Sequence, residues 1–184
     1  NSSAASDVYK RQEHALGESK CLMAMEYCPG GSLQSHLGGR LLWGRVKAWM
    51  LQALEGLEYV HAQEPPLVHR NIKPSNLLLD AGGEVKLADF AMARELDGST
   101  TSVVTSVRER TVHYAYLAPE VILGSSRLTP SCDLYSLGCV LYEALTGRPP
   151  FAYEDVDRQM KAHFEEVPVP PSAAASWIPG ELDA

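Results

Sequence analysis

Apolar residues recur with helical spacing in two long segments of the chain. The first segment carries them at Val46, Trp49, Met50, Ala53, Leu54, Leu57 and Val60. These positions are three or four residues apart, so they share one face of a predicted helix. The second helix is predicted to begin near Ser131 and is apolar on most sides, which is typical of a helix at the centre of a domain. Gly147 is its expected C-terminal stop.

Shorter patterns predict smaller elements around these helices. Residues 22–27 form an apolar run that predicts a strand, closed by the turn residues 29–31. Ser32 follows as the predicted N-cap of a short helix over residues 33–37. Two further apolar runs, Leu77–Leu79 and Val85–Leu87, flank a Gly-Gly turn and predict a β-hairpin.

The remaining segments are a weaker helix, a loop and a connector. Residues 154–165 carry apolar side chains on one side of a third predicted helix. Residues 97–111 are rich in Ser and Thr without periodicity, which predicts a loop. Residues 168–175 are rich in Pro and Ala and are expected to be a connector.

The pattern predicts one domain preceded by a leader. Residues 1–13 are polar and aperiodic, so we treat them as a non-native or disordered leader. Residues 14–184 carry every predicted element and form the expected domain. Both ends are expected to be cuts through a longer polypeptide.

Composition narrows the function classes. The 16 Lys and Arg are outnumbered by 23 Asp and Glu, so the net charge is −7. That balance argues against a nucleic acid or an anionic membrane surface as the partner. No apolar run reaches the length of a membrane span. The four cysteines form no C-x-x-C pair, which favours a reduced cytoplasmic location over a disulfide framework or a zinc site.

Three short motifs follow one another in the second half of the chain. Residues 69–76 read His-Arg-Asn-Ile-Lys-Pro-Ser-Asn, residues 89–91 read Asp-Phe-Ala, and residues 118–120 read Ala-Pro-Glu. In this order and spacing they resemble the H-R-D-x-x-x-x-N catalytic loop, the D-F-G metal motif and the A-P-E motif of protein kinases. Residues 25–31 look like the hinge between the two kinase lobes, and Asp133 matches the acidic residue that opens the family's central helix.

The resemblance covers residues 14 to the end and implies an α+β, protein-kinase-like fold. The implied architecture is a mainly α-helical large lobe with short β-hairpins, from which the small lobe is largely missing. No Gly-rich loop, strand Lys or helix Glu precedes the hinge. ATP lies between the lobes in the family, so we expect the 184-residue chain alone to bind ATP poorly.

The resemblance also implies ATP and Mg²⁺ as cofactors and a protein as substrate or regulated partner. Asp89 and Asn76 match the family's metal ligands, and Lys73 matches the Lys that steadies the transferred phosphoryl group in Ser/Thr kinases. Met25 stands at the gatekeeper position. The residues expected at the nucleotide are Met25, Glu26, Cys28, Ser32 and Leu78.

Regulation by phosphorylation is a further implication of the resemblance. Arg70 could pair with a phosphate on the Ser/Thr-rich loop. The candidate acceptors there are Ser99, Thr100, Thr101, Ser102, Thr105 and Ser106.

The chain departs from the family pattern at the most important position. Asn71 stands where the family has its catalytic Asp, and a neutral amide cannot accept a proton from a substrate hydroxyl. Ala91 replaces the Gly of D-F-G, and Val112-His113 replaces a Gly-Thr whose Thr contacts the catalytic Asp. Two hypotheses therefore stand: a Ser/Thr kinase with impaired catalysis, and a pseudokinase that binds nucleotide or docks to a partner.

The histidines are expected to be packing or surface residues. His69 and Phe90 occupy core positions in the family. His61 and His163 have no carboxylate or cysteine at ligand spacing, so neither is predicted to bind a metal.

Overall fold

Two long helices and a small hairpin frame the part of the chain that carries the motifs. The computed structural model describes residues 25–90, 94–95, 114–125 and 128–183. The helices are α1 (Trp43–His61), α2 (Pro119–Ile122), α3 (Ser131–Thr146), α4 (Val156–Glu165) and α5 (Pro171–Ala174). The strands are β1 (Leu67–Val68), β2 (Leu77–Leu79), β3 (Val85–Leu87) and β4 (Arg94–Glu95). Three short 3₁₀ turns cover Leu33–His36, Pro74–Asn76 and Gly180–Leu182.

The two long helices confirm the periodicity. α1 extends over the whole predicted segment and packs along α3. Its apolar face is buried at Val46, Trp49, Met50, Ala53 and Leu57. α3 begins at Ser131 as predicted and ends at Gly147, whose φ of 84° is the left-handed conformation that a glycine C-cap supplies.

The strands form two separate antiparallel pairs. β2 pairs with β3, with Leu77 opposite Leu87 and Leu79 opposite Val85, which confirms the predicted hairpin. The hairpin lies against α1, where the side chain of Leu87 approaches the bare backbone of Gly56. A side chain at residue 56 would lie 3.1 Å from Leu87 Cδ1. β1 pairs with β4.

Four of the shorter predictions need correction or lie outside the described residues. The segment after Ser32 is a 3₁₀ turn, and the Ser32 side chain does not cap it. Residues 25–27 are not in a strand, while residues 22–24 lie outside the described part of the chain. The connector at 168–175 contains α5. The loop predicted for 97–111 lies outside the described residues.

The third helix begins two residues later than predicted because Asp155 caps it. The Asp155 carboxylate accepts a hydrogen bond from the backbone N–H of Arg158 at 2.7 Å. This contact satisfies one of the free N–H groups in the first turn, so the helix begins at Val156. Of the helices in the described ranges, none combines the length and the apolar character needed to cross a bilayer.

Candidate active site

The loop that begins at His69 is held by a buried carboxylate. Asp133, in the first turn of α3, is fully buried. Its two oxygens accept backbone hydrogen bonds from Arg70 N at 2.7 Å and from His69 N at 2.8 Å. Because both bonds go to backbone N–H groups, they fix the path of the loop rather than one side chain. The central helix therefore positions the loop.

His61 completes the contacts of this carboxylate. Its Nε2 donates to Asp133 at 2.8 Å from the last turn of α1. Residue spacing near His61, which shows no carboxylate at metal-ligand spacing, does not predict this contact. The two residues are 72 positions apart in sequence, and only the packing of α1 on α3 brings them together.

His69 is a packing residue, as the sequence predicts. It is fully buried, its ring lies 4.4 Å from the ring of Phe90, and its Nε2 donates to the carbonyl of Ala88 at 3.0 Å. Its Nδ1 accepts a hydrogen bond from Asn71 N at 3.3 Å. Burial lowers the pKa of His69, which favours the neutral ring. This ring links the 69–76 loop to the segment that carries Asp89.

Three polar residues meet between these two segments. The Nδ2 of Asn71 donates to a carboxylate oxygen of Asp89 at 3.0 Å, and the Nδ2 of Asn76 donates to the backbone carbonyl of Asn71 at 2.8 Å. Asn71 and Asn76 are both buried. The carbonyl of Asn76 accepts from Ala88 N at 2.9 Å, so the backbone also joins the two segments. The structure thus brings together Asn71, Asn76 and Asp89.

The side-chain oxygens of this cluster suit a hard divalent cation. Asp89 contributes a carboxylate, and the Oδ1 of Asn76 has only a long contact of 3.5 Å with the Ser75 hydroxyl. The Oδ1 of Asn71 is buried and has no hydrogen-bond partner among the described residues. Carboxylate and amide oxygens are the ligands that Mg²⁺ prefers, usually with waters and substrate phosphates completing its shell.

A site of this kind needs few protein ligands. Among the described residues there is no group of three or more His, Cys, Asp or Glu that could hold a metal by itself. One carboxylate with one or two amides is instead the ligand set of a metal shared with a phosphate substrate. The residues present therefore fit Mg²⁺ bound together with a nucleotide.

Two residues of this region hold a backbone conformation that is unusual for their type. Arg70 has φ of 64° and Asp89 has φ of 62°, both in the left-handed region. Such a conformation costs a non-glycine residue about 1–2 kcal/mol. The hydrogen bonds from Arg70 N to Asp133 and from Asn71 to Asp89 hold these two residues in place.

Two of the residues predicted at the nucleotide lie side by side. Ser32 forms an isolated antiparallel bridge with Leu78, whose side chain is half-buried. Next to this bridge, Gly30 N donates to the carbonyl of Leu79 at 3.0 Å and Leu79 N donates to the carbonyl of Gly31 at 2.8 Å. Residues 30–32 therefore lie along β2 through these two hydrogen bonds and the bridge, which places Ser32 opposite Leu78.

The hinge residues before this bridge are more exposed. Met25 is 53% exposed, Glu26 is exposed and Cys28 is half-buried. Burial and the nearby carboxylates of Glu26 and Asp80 raise the pKa of the Cys28 thiol. Lys73 is half-buried and directly precedes the 3₁₀ turn that carries Asn76.

The predicted regulatory residues and the departures from the family pattern are divided between the described residues and the rest of the chain. The candidate phosphate acceptors Ser99, Thr100, Thr101, Ser102, Thr105 and Ser106 lie outside the described residues. Ala91, Val112 and His113 lie outside them as well. Arg70, the predicted phosphate-pairing residue, is half-buried beside Asp133.

Comparison with known proteins places these motifs in a family. Residues 3–177 match the family model described as the protein kinase domain. The chain is 39% identical over 165 residues to the probable serine/threonine-protein kinase PknB of Bifidobacterium longum, which covers 88% of this chain and 23% of that protein. It is 36% identical over 164 residues to the serine/threonine-protein kinase PknB of Mycobacterium tuberculosis, with 88% and 26% covered.

A eukaryotic relative gives a similar match. The chain is 36% identical over 161 residues to a probable cell division protein kinase of Encephalitozoon cuniculi, with 86% of this chain and 48% of that protein covered. The chain thus spans about a quarter of the length of the bacterial relatives and about half of this one. Because the family model matches nearly the whole chain, the chain belongs to the protein kinase family.

Proposed function

We propose that this domain transfers the γ-phosphoryl group of ATP to a Ser or Thr hydroxyl of a protein, at a rate reduced by Asn71. The similarity to bacterial serine/threonine-protein kinases and the Lys73-Pro74-Ser75-Asn76 sequence support the Ser/Thr type. The proposed site of the reaction lies between the 69–76 loop and the segment that carries Asp89.

In this proposal each residue of the cluster has one task. Asp89 and Asn76 would hold Mg²⁺. ATP would supply the phosphoryl group, and the bound Mg²⁺ would neutralise its charge. Lys73 would bind the phosphate oxygens through its ammonium group. Ser32 and Leu78 would form the floor under the adenine, with the backbone of Glu26 and Cys28 at its edge and Met25 behind it.

The observation that carries the proposal is the hydrogen bond from Asn71 to Asp89. At 3.0 Å, the amide of Asn71 lies directly beside the proposed metal ligand, which is where a catalytic Asp would have to lie. An amide can orient neighbouring groups but cannot accept the proton of a hydroxyl nucleophile. Kinase transition states are loose, so a site that positions the reactants without a general base keeps part of the catalytic rate.

The second candidate function is a pseudokinase that binds nucleotide or a partner and regulates another protein. Asn71 itself favours it, because its Oδ1 is buried and has no hydrogen-bond partner among the described residues, while its Nδ2 donates to Asp89. In that case the cluster would hold a nucleotide without turnover.

The Asn71→Asp variant separates the two candidates. The complete natural polypeptide that contains this chain is assayed for phosphorylation of Ser- and Thr-containing peptides with labelled ATP. An impaired enzyme is expected to gain a factor of roughly 10²–10⁴ in kcat, which is the usual contribution of a general base. Nucleotide affinity is measured in parallel by isothermal titration calorimetry with Mg-ATP.

Two control variants make the result interpretable. Glu58→Ala changes an exposed residue of α1 away from the cluster and is expected to leave kcat unchanged. Adding Asp89→Asn to Asn71→Asp is expected to abolish the gain because it removes the carboxylate that is proposed to hold the metal, while the new carboxylate at residue 71 stays. If Asn71→Asp binds Mg-ATP but gains no activity, the enzyme proposal fails and the regulatory candidate stands. If no variant binds Mg-ATP, both nucleotide-based candidates fail.

A reduced, cytoplasmic setting is part of the proposal. Cys28, Cys132 and Cys139 are free thiols. Burial raises the pKa of Cys132 and of Cys139 to about 12, so both remain protonated and unreactive at neutral pH.

A further inference from the structure

A proline-rich segment joins α4 to α5 at the surface of the domain. Residues 167–171 read Val-Pro-Val-Pro-Pro, and residues 166–170 have no helical or strand structure. Val167 is 92% exposed, Pro168 and Pro170 are exposed, and Val169 is 48% exposed. Exposed valines between exposed prolines do not contribute to a core, so the segment has no evident packing role.

The sequence of this segment fixes its backbone as extended. Proline holds φ near −65°, and a residue that precedes proline is restricted to the extended region. Pro170, with φ of −53° and ψ of 137°, lies close to the polyproline II conformation. That helix has three residues per turn, so the Val167-Pro168 and Pro170-Pro171 dipeptides lie on one side of it. Glu166 and Val169 lie on the other.

The second side is joined to the domain through Glu166, while on the first side Val167, Pro168 and Pro170 are exposed and Pro171 is half-buried. The hydroxyl of Tyr153 donates to a carboxylate oxygen of Glu166 at 2.6 Å. The guanidinium of Arg158 lies 4.1 Å from the centre of the Tyr153 ring and holds that ring in place. The lower exposure of Val169 relative to Val167 agrees with this orientation.

Both ends of the segment are fixed to helices. Glu166 N donates to the carbonyl of Ala162 in α4, and the carbonyl of Pro170 accepts from the N–H groups of Ala173 and Ala174 in α5. Within the described residues, no backbone N–H binds the carbonyls of residues 166–169. A partner would thus meet a preorganised ligand with free acceptors and would lose little chain entropy on binding.

We propose that residues 166–171 are a docking motif for a partner protein that carries a polyproline-reading domain. Such domains bind polyproline II ligands in a shallow groove lined by aromatic side chains. Glu165 is exposed and has no ion-pair partner in the described part of the chain, and Glu166 follows it. The groove of the matching partner therefore has Lys or Arg at the margin that meets residue 165. This interaction is independent of phosphoryl transfer.

The test measures binding of the complete natural polypeptide to purified SH3, WW and EVH1 domains by biolayer interferometry. At least one of these domains is expected to bind reversibly. The double variant Pro168→Ala/Pro171→Ala is expected to weaken that binding tenfold or more, because it removes two prolines that lie three residues apart on the same side of the polyproline II helix. Pro179→Ala, which changes an exposed proline outside the segment, is expected to leave the affinity unchanged. Glu165→Lys is expected to weaken binding and to reduce its salt dependence.

A peptide of residues 163–173 keeps the test independent of folding. It is expected to displace the polypeptide from the same domain, whereas a scrambled peptide of the same composition is not. If the double variant loses its cooperative melting transition, the competition experiment decides. The proposal is overturned if no domain binds at millimolar concentration, if the double variant binds as well as the unaltered protein, or if the scrambled peptide competes equally.

Discussion

At the scale of single residues, Asp133 has the largest structural role at the site. A fully buried carboxylate is costly unless its oxygens are satisfied, and here they accept from His69 N, Arg70 N and His61. The same three contacts tie the end of α1 and the start of the 69–76 loop to α3. Asp133 therefore couples the position of Asn71 to the packing of the two longest helices.

Replacing Asp133 by Ala is expected to lower the free energy of unfolding by at least about 3 kcal/mol, because it leaves two buried backbone N–H groups without an acceptor. The measurement is urea denaturation of the purified chain followed by circular dichroism. Glu58→Ala removes an exposed carboxylate from α1 and is expected to change stability by about 0.5 kcal/mol or less. A loss below about 1 kcal/mol for Asp133→Ala would contradict the role assigned to it.

At the scale of elements, the hinge segment and β2 form the floor of the proposed nucleotide site. The two backbone hydrogen bonds between residues 30–31 and Leu79 require close approach. At Gly30 a Cβ would lie 2.6 Å from Leu79 Cβ and 2.8 Å from Leu79 O. Only glycine therefore allows this pairing, which places Ser32 beside Leu78.

Gly30→Ala is expected to destabilise the domain by about 1–3 kcal/mol, since either the hinge or β2 must move to relieve the overlap. The matched control is Gly39→Ala, because nothing lies within 4 Å of the added methyl group there. The control is expected to be neutral or stabilising by about 0.4–1 kcal/mol, because alanine lowers the conformational entropy of the unfolded chain. The midpoints of denaturant unfolding of the two variants are compared directly. Equal midpoints would show that the close contact at Gly30 is not maintained in solution.

The long elements could be predicted from the sequence because their signals are redundant. α1 and α3 each carry several apolar residues at helical spacing, and the β2–β3 hairpin carries two apolar runs around a Gly-Gly turn. The segment after Ser32 gave a weaker signal. Over four residues, a 3₁₀ turn and the first turn of an α-helix have similar spacings of apolar residues. The segment forms the 3₁₀ turn directly after Ser32 pairs with Leu78.

The site could be predicted only through local motifs. Asn71, Asn76 and Asp89 stand in short segments that resemble kinase motifs, and the structure brings them together. The contact of His61 with Asp133 has no local signal, because the two residues are 72 positions apart in sequence. It depends on how α1 packs against α3. Likewise, the orientation of the 167–171 segment depends on the hydrogen bond from the Tyr153 hydroxyl to Glu166, which has no local signal either.

At the scale of the whole molecule, buried histidines make stability depend on pH. His163 of α4 is 7% exposed, and its Nδ1 lies 2.7 Å from the hydroxyl of Tyr135 in α3. Burial lowers the pKa of His163 to about 4 from an ordinary value of 6.5. The unfolded chain therefore binds a proton between these two pH values that the folded chain does not. The stabilisation is complete above pH 6.5 and is lost as the pH falls towards 4.

His163→Gln is expected to flatten this dependence. Solvent screening reduces the full electrostatic effect, so we expect the unaltered chain to lose about 1–2 kcal/mol more than the variant between pH 7 and pH 4. Urea unfolding at the two pH values measures the difference. His69, whose pKa burial also lowers, contributes to both proteins equally. Tyr135→Phe keeps the histidine and is expected to lower stability while retaining the slope. An unchanged slope in His163→Gln would contradict the prediction.

The left-handed backbone of Arg70 and Asp89 has an evolutionary consequence. Glycine adopts φ near 60° without strain, so glycine at either position would relieve a cost that the present residues bear. A selection that rewards folding alone would therefore tend to replace them with glycine. A selection that requires the guanidinium or the carboxylate would oppose that change. The residues found at these two positions in a population of descendants would thus record whether the site is still under functional selection.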